Sequence, residues 1–556
     1  MAKIYFLPPL MFLVLFAICG EILSANSPNI STDQSVLLVF KSHISHDPYN
    51  FLTTNWSTST SVCNWIGVTC GSKHHRVTSL DLSGMGLTGT IPSELGNLSF
   101  LGWLDIRYNT FHGSLPTELT NLHRLKYWNF GNNRFDREIP SWFSYFAKLQ
   151  VLWLYDNNFT GVIPSTLRQI PASICNLRSL MLLSLSNNNL DGTIPKCFGS
   201  LTSSLLHLDL GKNNCHGRMP ENIAKSCSLQ SFQINNNQLE GSLPRSLSNC
   251  KDLKLLDVGK NKLKDIFPIW LGNLVQLQVL ILRSNRFYGH LDSFRVSVTH
   301  LHTIDLSYNN FSGYLPAKFF ENLHAIKEVD GKKVESEYMK DDIGYYVQGV
   351  SLTIKGSEIE FESLLINWMV IDFSNNQFLG EIPKTVGELH SLIVLNLSHN
   401  GLTGPIPSSL GDLSELESLD LSSNKLRERI PMKLNNLGFL EVLNLSQNNL
   451  MGPIPQGKQF DTFTNESYSE NLGLCGLPLS ESCDNDKETP TKFDRDDEDD
   501  VLNWKFSILM GYGCGLVLGL SMGYIVFTIE KPWWFIKIFE RVQHRFAKWY
   551  RRKLFR

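Results

Sequence analysis

Charged residues are scarce in this chain, and the sequence patterns that most catalytic sites require are missing. Asp, Glu, Lys and Arg make up only 19% of the 556 residues, whereas 42% are hydrophobic, so we expect a long buried core. The sequence contains no short-spaced Cys/His quartet for zinc, no Gly-rich phosphate loop and no HRD or DFG sequence. No His, Ser and Asp constellation stands out. The sequence therefore predicts no catalytic residues, no metal site and no cofactor.

The two ends of the chain indicate export and a membrane rather than nucleic acid binding. Residues 1–25 combine Lys3 with a mostly apolar stretch, which is typical of a secretory signal peptide; an N-terminal membrane anchor is the alternative. Residues 506–529 carry no charge and are long enough to cross a bilayer as a helix. An acidic segment precedes them and a basic tail follows, so the positive-inside rule predicts a single-pass type I plasma-membrane protein with its N-terminal ectodomain outside.

Four glycines recur at every fourth position within this apolar segment: Gly511, Gly515, Gly519 and Gly523. The spacing places them along one face of a helix, where a second backbone can approach closely. We interpret them as a helix-pairing face. Glycine that is merely tolerated in an apolar helix is the alternative.

A repeat of 24 residues dominates the rest of the sequence. Leu101, Leu125 and Leu149 have this spacing, which recurs over 205–301 and 368–440. Each unit has Leu or an equivalent at positions one, four, six and eleven and Asn at position nine, which is the leucine-rich repeat signature. Because no unit can bury its apolar face alone, we expect an α/β solenoid, a curved array whose stacked units form a parallel concave β-sheet.

The repeat pattern is interrupted twice. Leu149 and Leu180 are 31 residues apart, which we attribute to an insertion on the convex side. The pattern then disappears over 324–367, and long non-repeating segments in compact arrays are usually functional or disordered. The chain therefore divides into a signal peptide (1–25), a cysteine-containing N-terminal cap (26–76), ten repeats (77–323), a non-repeat island (324–367), four repeats (368–463), a C-terminal cap (464–485), an acidic juxtamembrane segment (486–505), a transmembrane helix (506–529) and a basic cytoplasmic tail (530–556).

Two close cysteine pairs stand at the two ends of the array. Cys63 with Cys70, and Cys475 with Cys483, are placed where a terminal edge needs covering, and an oxidising compartment permits a disulfide at both. Glycosylation sequons also fit secretion. They lie at Asn29, Asn55, Asn97, Asn158, Asn310, Asn396, Asn444 and Asn465.

Five further cysteines lie within the repeats: Cys175, Cys197, Cys215, Cys227 and Cys250. Cys227 and Cys250 occupy nearly equivalent positions in successive units, so stacking could bring them within bonding distance. Cys215 replaces a core Leu or Phe, and we expect it to be packed and inert. The pairing of this odd set stays open.

The repeat consensus carries a family resemblance. The segment from Leu87 to Leu98 fits LxGxIPxxLGNL, and the segment CNWIGVTC from Cys63 to Cys70 is similar to the N-terminal cap of the same plant extracellular class. With the island and the four repeats after it, the chain resembles plant leucine-rich repeat receptor-like proteins, which are single-pass receptors without a kinase. The resemblance implies an extracellular ligand, a partner receptor-like kinase with its own leucine-rich repeat ectodomain, and signalling in defence ahead of development. Arrays in this family are usually longer, so a shortened member is one interpretation.

Aromatic and charged residues cluster in the second to fourth units at positions that should point out of the concave surface. This is the composition of a binding hot spot. We call these candidate ligand-binding residues the aromatic patch: Trp103, Asp105, Arg107, Tyr108, Tyr127, Asn129, Trp153, Tyr155 and Asp156. The C-terminal units offer only small polar residues there. In the island, the candidates are Tyr345, Tyr346, Lys355 and Gly356, the last two forming a pair that recurs in the resembled family.

The leading interpretation is a cell-surface receptor that binds a peptide, a protein or a cell-wall fragment. An inhibitor of microbial wall-degrading enzymes is the alternative, although such proteins are typically soluble and short. A shortened decoy that binds without signalling is a further alternative. An enzyme is the least supported of the four.

Overall fold

The computed structural model describes residues 30–163, 174–291, 299–327, 339, 349–354, 356–361, 368–481 and 483. All of them lie in the compact unit Met1–Cys483. Within these ranges no helix is long and apolar enough to cross a membrane. The predictions that fall outside the described residues are the signal peptide, Asn29, residues 164–173 of the 31-residue unit, Tyr345, Tyr346, Lys355, the acidic segment, the transmembrane helix with its four glycines, and the basic tail.

One sheet runs through the whole array and forms the concave face, which confirms the solenoid with parallel strands. Positions three to five of each unit form a short strand, and position four points into the core, as Leu104 does with no exposed surface. The described residues contribute fifteen strands to this sheet, of which Val68–Cys70 in the cap pairs antiparallel. The others are Val77–Asp81, Trp103–Asp105, Tyr127–Asn129, Val151–Trp153, Leu182–Ser184, His207–Asp209, Ser231–Gln233, Leu255–Asp257, Val279–Ile281, Thr303–Asp305, Val370–Asp372, Val394–Asn396, Ser418–Asp420 and Val442–Asn444.

Neither sequence interruption breaks the concave sheet. Val151–Trp153 pairs directly with Leu182–Ser184 across the 31-residue unit. Thr303–Asp305 likewise pairs with Val370–Asp372, although the island separates them in sequence. The concave strands on the two sides of each interruption therefore pair directly with each other.

Asparagine at position nine holds neighbouring units together. Asn133 Nδ2 donates to the carbonyl oxygens of Ile106, Phe130 and Gly131, and its Oδ1 accepts from the backbone N–H of Phe111, at 2.9–3.2 Å. The carbonyl oxygens of Ile106 and Phe130 also accept from Asn109 and Asn157, so successive asparagines form one continuous row that satisfies buried backbone groups. The same pattern recurs at Asn109, Asn157, Asn188, Asn213, Asn237, Asn261, Asn285, Asn309, Asn376, Asn400, Asn424 and Asn448.

After the asparagine, the chain forms lateral strands and then short helices on its return. The lateral strands form sheets of four, five and seven strands. Their bounds are Ile44–His46, Thr88–Gly89, Thr110–Gly113 and Arg134–Phe135; Thr160–Val162, Asn189–Thr193, Asn214–Arg218, Gln238–Gly241 and Lys262–Leu263; and Tyr288–His290, Asn310–Tyr314, Gln377–Gly380, Gly401–Gly404, Lys425–Glu428, Asn449–Pro453 and Gly473–Cys475. The 3₁₀ helices that follow are Ser93–Asn97, Thr117–Asn121, Ser141–Tyr145, Ile174–Asn176, Arg245–Asn249, Ile269–Asn273, Lys384–Glu388, Ser408–Asp412 and Met432–Asn436.

The α-helices are short and lie at the cap, in one unit and before the island. Their bounds are Ile30–Ser42, Phe51–Asn55, Phe198–Leu201, Ala317–Glu321 and His324–Lys327. Further 3₁₀ helices occur at Val62–Asn64, Lys458–Thr462 and Asn465–Ser467. In the cap, Asp33 and Arg76 form a buried ion pair at 2.6 Å, which ties the first helix to the first concave strand.

The cysteines pair as the sequence suggests, with one addition. Disulfides join Cys63 to Cys70 and Cys475 to Cys483 at the two ends, and Cys227 to Cys250 between successive units. Cys175 and Cys197, whose pairing the sequence left open, form a fourth disulfide. In the described part of the chain, Cys215 is the free cysteine; it is buried, as expected for a residue in a core position.

Within the island, the described residues form an antiparallel hairpin. Val350–Ile354 pairs with Ser357–Phe361, and Ile354 lies opposite Ser357, so the connecting loop has two residues. Gly356 in this loop has a φ of +76°, which only glycine adopts without strain. We call residues 350–361 the island hairpin.

Candidate ligand-binding site on the concave face

The aromatic patch is a packed group of rings rather than a row of separate side chains. The rings of Trp103 and Tyr127 stack with 3.4 Å between their centroids and 2° between their planes. Trp153 meets Tyr127 edge-on at 5.9 Å, and Tyr155 meets Trp153 in the same way at 6.3 Å. Trp103 and Tyr108 remain exposed and Trp153 is half-buried, so these three offer the apolar surface.

Three residues of the predicted patch lie beneath it and are closed to solvent. Asp105, Tyr127 and Asn129 are 1%, 4% and 0% exposed. Asp105 accepts hydrogen bonds from the Tyr127 hydroxyl at 3.4 Å and from the backbone N–H of Arg107 at 3.1 Å, and burial raises its pKa to about 6. Neighbouring rings cover these polar groups. Asp105, Tyr127 and Asn129 therefore hold the patch in position from below. The sequence expectation that all nine side chains lie on the open surface is therefore corrected for these three and for Tyr155, which is 7% exposed.

Tyr155 and Asp156 form the edge of the patch that faces the middle of the array. The Tyr155 ring lies against Gly131, where a Cβ atom would be 2.5 Å from the ring, so glycine makes room for it. The Tyr155 hydroxyl is buried and has no hydrogen-bond partner within the described residues; burial, followed by the adjacent Tyr108, raises its pKa. Asp156 has a φ of +50° and accepts hydrogen bonds from Asn132 Nδ2 at 2.9 Å and Asn187 Nδ2 at 2.5 Å.

The island hairpin lies on the concave face next to this edge. Val350 and Leu352 are buried against an apolar group from the strands below, made up of Leu255, Val279, Ile281, Val370 and Val394. These five residues occupy positions three or five of their units, which point out of the concave face. Apolar residues at such positions in neighbouring units are the sequence signal that a segment covers them.

Ion pairs hold the second strand of the hairpin. Lys260 Nζ lies 2.6 Å from Glu358 Oε1, and Lys212 pairs with Glu360. Arg283 donates to the Thr353 hydroxyl and also lies 3.8 Å from Asp305 Oδ2. Basic residues of three different units thus contact one hairpin, which fixes its position along the array.

A cavity of about 320 Å³ lies between the aromatic patch and the island hairpin. Tyr108, Trp153, Tyr155 and Asp156 form its patch side, Asp209 and Lys212 lie on its floor, and Gly349, Glu360 and Phe361 form the hairpin side. The structure thus brings four patch residues together with hairpin residues that the sequence did not select. The volume of this cavity is at the lower end of the range for ligand pockets.

Aspartates at position five lie in the middle of the concave sheet, where Asp257, Asp305 and Asp372 are buried and Asp209 is half-buried. Asp209, Asp257, Asp305 and Asp372 each accept a hydrogen bond from the backbone N–H two residues later, at 2.9–3.0 Å. Burial raises the pKa of all four, to about 7 for Asp257. Among the described residues, no group of His, Cys, Asp and Glu has a geometry that could hold a metal ion.

The sequons differ in accessibility. Asn97, Asn158, Asn310 and Asn465 are exposed, and Asn158 lines a polar groove next to Asp156. The half-buried sequons are Asn55, Asn396 and Asn444. In each of these three, Oδ1 accepts a hydrogen bond from a nearby backbone N–H.

Comparisons with known families agree with this architecture. Residues 30–71 match the leucine rich repeat N-terminal domain, and residues 227–287 and 367–426 match a leucine rich repeat family. A second leucine rich repeat family matches residues 76–98, 148–170, 179–201, 300–322 and 439–457.

Curated relatives and one solved structure are similar to parts of the chain. Receptor-like protein 9DC3 of Solanum pimpinellifolium is 53% identical over 230 residues, which are 40% of this chain and 26% of that protein. Receptor-like protein Cf-9 of the same species is 52% identical over 237 residues, 41% of this chain and 27% of that protein. The ectodomain of the Arabidopsis thaliana receptor kinase GASSHO1/SCHENGEN3, solved with CASPARIAN STRIP INTEGRITY FACTOR 2, is 30% identical with a TM-score of 0.55, covering 73% of this chain and 48% of that one.

The chain spans about a quarter of the length of the curated relatives it matches. The matches nevertheless include both the N-terminal domain and the repeats on each side of the island. The chain is therefore a leucine-rich repeat protein whose curated relatives are plant receptor-like proteins.

Proposed function

We propose that this protein is a cell-surface receptor that binds an extracellular peptide, protein or cell-wall fragment in the cavity between the aromatic patch and the island hairpin. The observation that carries the proposal is the cavity itself, which combines exposed aromatic surface, fixed carboxylates and a segment from outside the repeats. Binding hot spots have this composition. The solved plant receptor kinase ectodomain similar to this chain was crystallised with a bound factor, which supports a ligand-binding role for the array.

Signalling would pass to a partner receptor-like kinase, in defence by family resemblance. The sequence contains no kinase motif, and the predicted transmembrane helix carries four glycines on one face. Small residues in this register let two helices approach closely, so the partner would be recruited within the membrane. An inhibitor of microbial wall-degrading enzymes and a non-signalling decoy would use the same cavity without this helix contact.

The test is recovery of the partner from plant membranes. Tagged full-length protein would be purified in mild detergent in its native form and with Gly515→Leu and Gly519→Leu, and co-purifying proteins would be identified by mass spectrometry. Val517→Leu, which changes the opposite face of the same segment, is the matched control. We expect a receptor-like kinase with the native protein and with Val517→Leu, and its loss with the glycine variants. Absence of any kinase from all forms would favour the inhibitor or the decoy.

A further inference from the structure

The charges that line the cavity do not balance. Asp156, Asp209 and Glu360 line it on the acidic side, against Lys212 on the basic side. The Lys212 ammonium already pairs with Glu360. Lys212 also favours the ionised form of Asp209, so one lysine among the residues that line the cavity faces three carboxylates. An anionic ligand would meet this surplus of negative charge at short range, and its binding would be opposed.

Asp156 is held ready to accept further hydrogen bonds. Each of its carboxylate oxygens accepts one amide hydrogen, from Asn132 and from Asn187. An ionised carboxylate offers about four acceptor sites, so both oxygens can accept another donor. The two amides come from the units before and after it, which fixes the carboxylate in position before a ligand arrives and lowers the entropy cost of binding.

Two further groups that line the cavity, the Asp209 carboxylate and the Tyr155 hydroxyl, offer acceptor oxygens. Asp209 receives a hydrogen bond from the backbone N–H of Gly211 and another from the Ser184 hydroxyl, at 3.0 Å each. Burial raises the pKa of Asp209, and a nearby cation would favour its ionised form. The buried Tyr155 hydroxyl, which lacks a partner within the described residues, can accept an N–H from a ligand.

Aromatic walls complete the arrangement. Trp153, Tyr155 and Phe361 line the cavity together with Asp156. A cation close to aromatic rings gains about 0.5–2 kcal/mol. A planar guanidinium can also bind a carboxylate in a bidentate way and stack on a ring, which an ammonium does less well. The volume of about 320 Å³ suits one or two side chains rather than a folded partner.

We propose that this cavity binds the basic side chain of a peptide ligand, with arginine preferred, and that Asp156 is the residue that selects it. This inference rests on the proposed receptor function, because it names the chemical class that the receptor would recognise. A neutral sugar carries no positive charge that could pair with the carboxylates of the cavity. On the C-terminal side of the island hairpin, the concave face of the described repeats presents small polar residues, without a comparable surplus of carboxylates next to aromatic rings.

The experiment compares two probes of nearly the same shape. N-acetyl-arginine amide and N-acetyl-citrulline amide differ in the charge of the terminal group. Each would be titrated into the full-length protein in mild detergent, and binding would be measured by saturation-transfer NMR. We expect the arginine probe to bind at least about tenfold more tightly than the citrulline probe, and N-acetyl-glutamate amide to show no binding.

Asp156→Asn is the decisive variant. Asparagine already occupies the equivalent position at Asn132 and Asn187, each with a similar positive φ, so the change should leave the fold intact. We expect it to reduce the preference for arginine over citrulline to about onefold. Asp420→Asn, on a distant concave strand, is the matched control and should keep the full preference.

Equal binding of the arginine and citrulline probes, or an unchanged preference in Asp156→Asn, would overturn the inference. Its failure can be distinguished from failure of the receptor function. If a kinase co-purifies but the arginine probe shows no preference, the ligand class is wrong and the receptor stands. If the probe binds through Asp156 and no kinase co-purifies, the ligand class is supported and the signalling role is lost.

Discussion

Replacing Asp257 with asparagine should stabilise the protein, and more so at high pH. Asp257 is 2% exposed at position five of its concave strand, and its Oδ1 accepts the backbone N–H of Gly259 at 2.9 Å. The side-chain oxygen of an asparagine can accept the same hydrogen bond. At the equivalent position of another unit, Asn129 Oδ1 accepts from the backbone N–H of Gly131, two residues later, at 3.1 Å. The substitution therefore removes a buried charge and keeps the hydrogen bond.

The magnitude follows from the pKa of Asp257. Burial, with the like charges of Asp305 and Asp209, raises this pKa from 3.8 to about 7. Since the folded pKa lies above the unfolded one, the carboxyl group favours the folded state below about pH 4, and this contribution is lost as the pH rises towards 7. One pKa unit corresponds to 1.36 kcal/mol, so ionisation of Asp257 should cost about 2 kcal/mol at pH 5.5 and about 4 kcal/mol at pH 8.

Thermal unfolding of the full-length protein, followed by circular dichroism at both pH values, measures the effect. For an array of this size, about 4 kcal/mol raises the melting temperature by roughly 4 °C. We expect Asp257→Asn to melt higher than the native chain by this amount at pH 8 and by about half of it at pH 5.5. Asp420→Asn, which keeps the equivalent hydrogen bond to Ser422 in a half-buried setting, is the control and should shift stability by less than about 0.5 kcal/mol. A gain for Asp257→Asn that does not grow with pH would refute the reasoning.

Three further changes test the array, a disulfide and the hairpin. Asn133→Ala removes four hydrogen bonds to buried backbone groups, including the one that the N–H of Phe111 donates, and should destabilise the protein by about 2 kcal/mol, seen as a lower urea midpoint; a neutral effect would contradict the role of position nine. Cys227→Ala with Cys250→Ala opens a loop closed at a separation of 23 residues and should cost about 3 kcal/mol, checked by non-reducing urea unfolding. Leu352→Asp places a charge in the contact between hairpin and sheet and should raise hydrogen exchange across 350–361. Ile359→Asp, opposite Leu352 on the same face but 42% exposed, should raise it less.

The array could be predicted from sequence because each unit repeats the same local rule. Leucines at positions one, four and six must point inward, and the asparagine at position nine must satisfy backbone groups of the preceding unit, as Asn133 does. Both requirements act between neighbours along the chain. The two cap disulfides could also be predicted from sequence, because the cysteines of each pair are close in the chain: Cys63 with Cys70, and Cys475 with Cys483.

The cavity could not be predicted in the same way, because its two sides come from distant parts of the chain. Asp156 and Glu360 line it together although they are about two hundred residues apart. The sequence pattern also predicted that every side chain at an outward position is exposed. Packing between neighbouring units instead buries Tyr127 beneath Trp103. The apolar residues at Val279 and Ile281 carried the missing information, since outward apolar side chains require a cover.

The island hairpin divides the concave face into regions with different roles. Its first strand is anchored by apolar contacts through Val350 and Leu352, whereas Glu360 and Phe361 at the end of its second strand line the cavity. Anchor and cavity wall therefore belong to one hydrogen-bonded two-stranded element, and the apolar contacts and ion pairs of this element hold the cavity wall in place without a ligand. Because pre-organised contacts lose less entropy on binding, changes that release the anchor should weaken ligand binding even though they touch no ligand. The apolar contact beneath Leu352 thus contributes to ligand recognition only by holding the cavity wall in position.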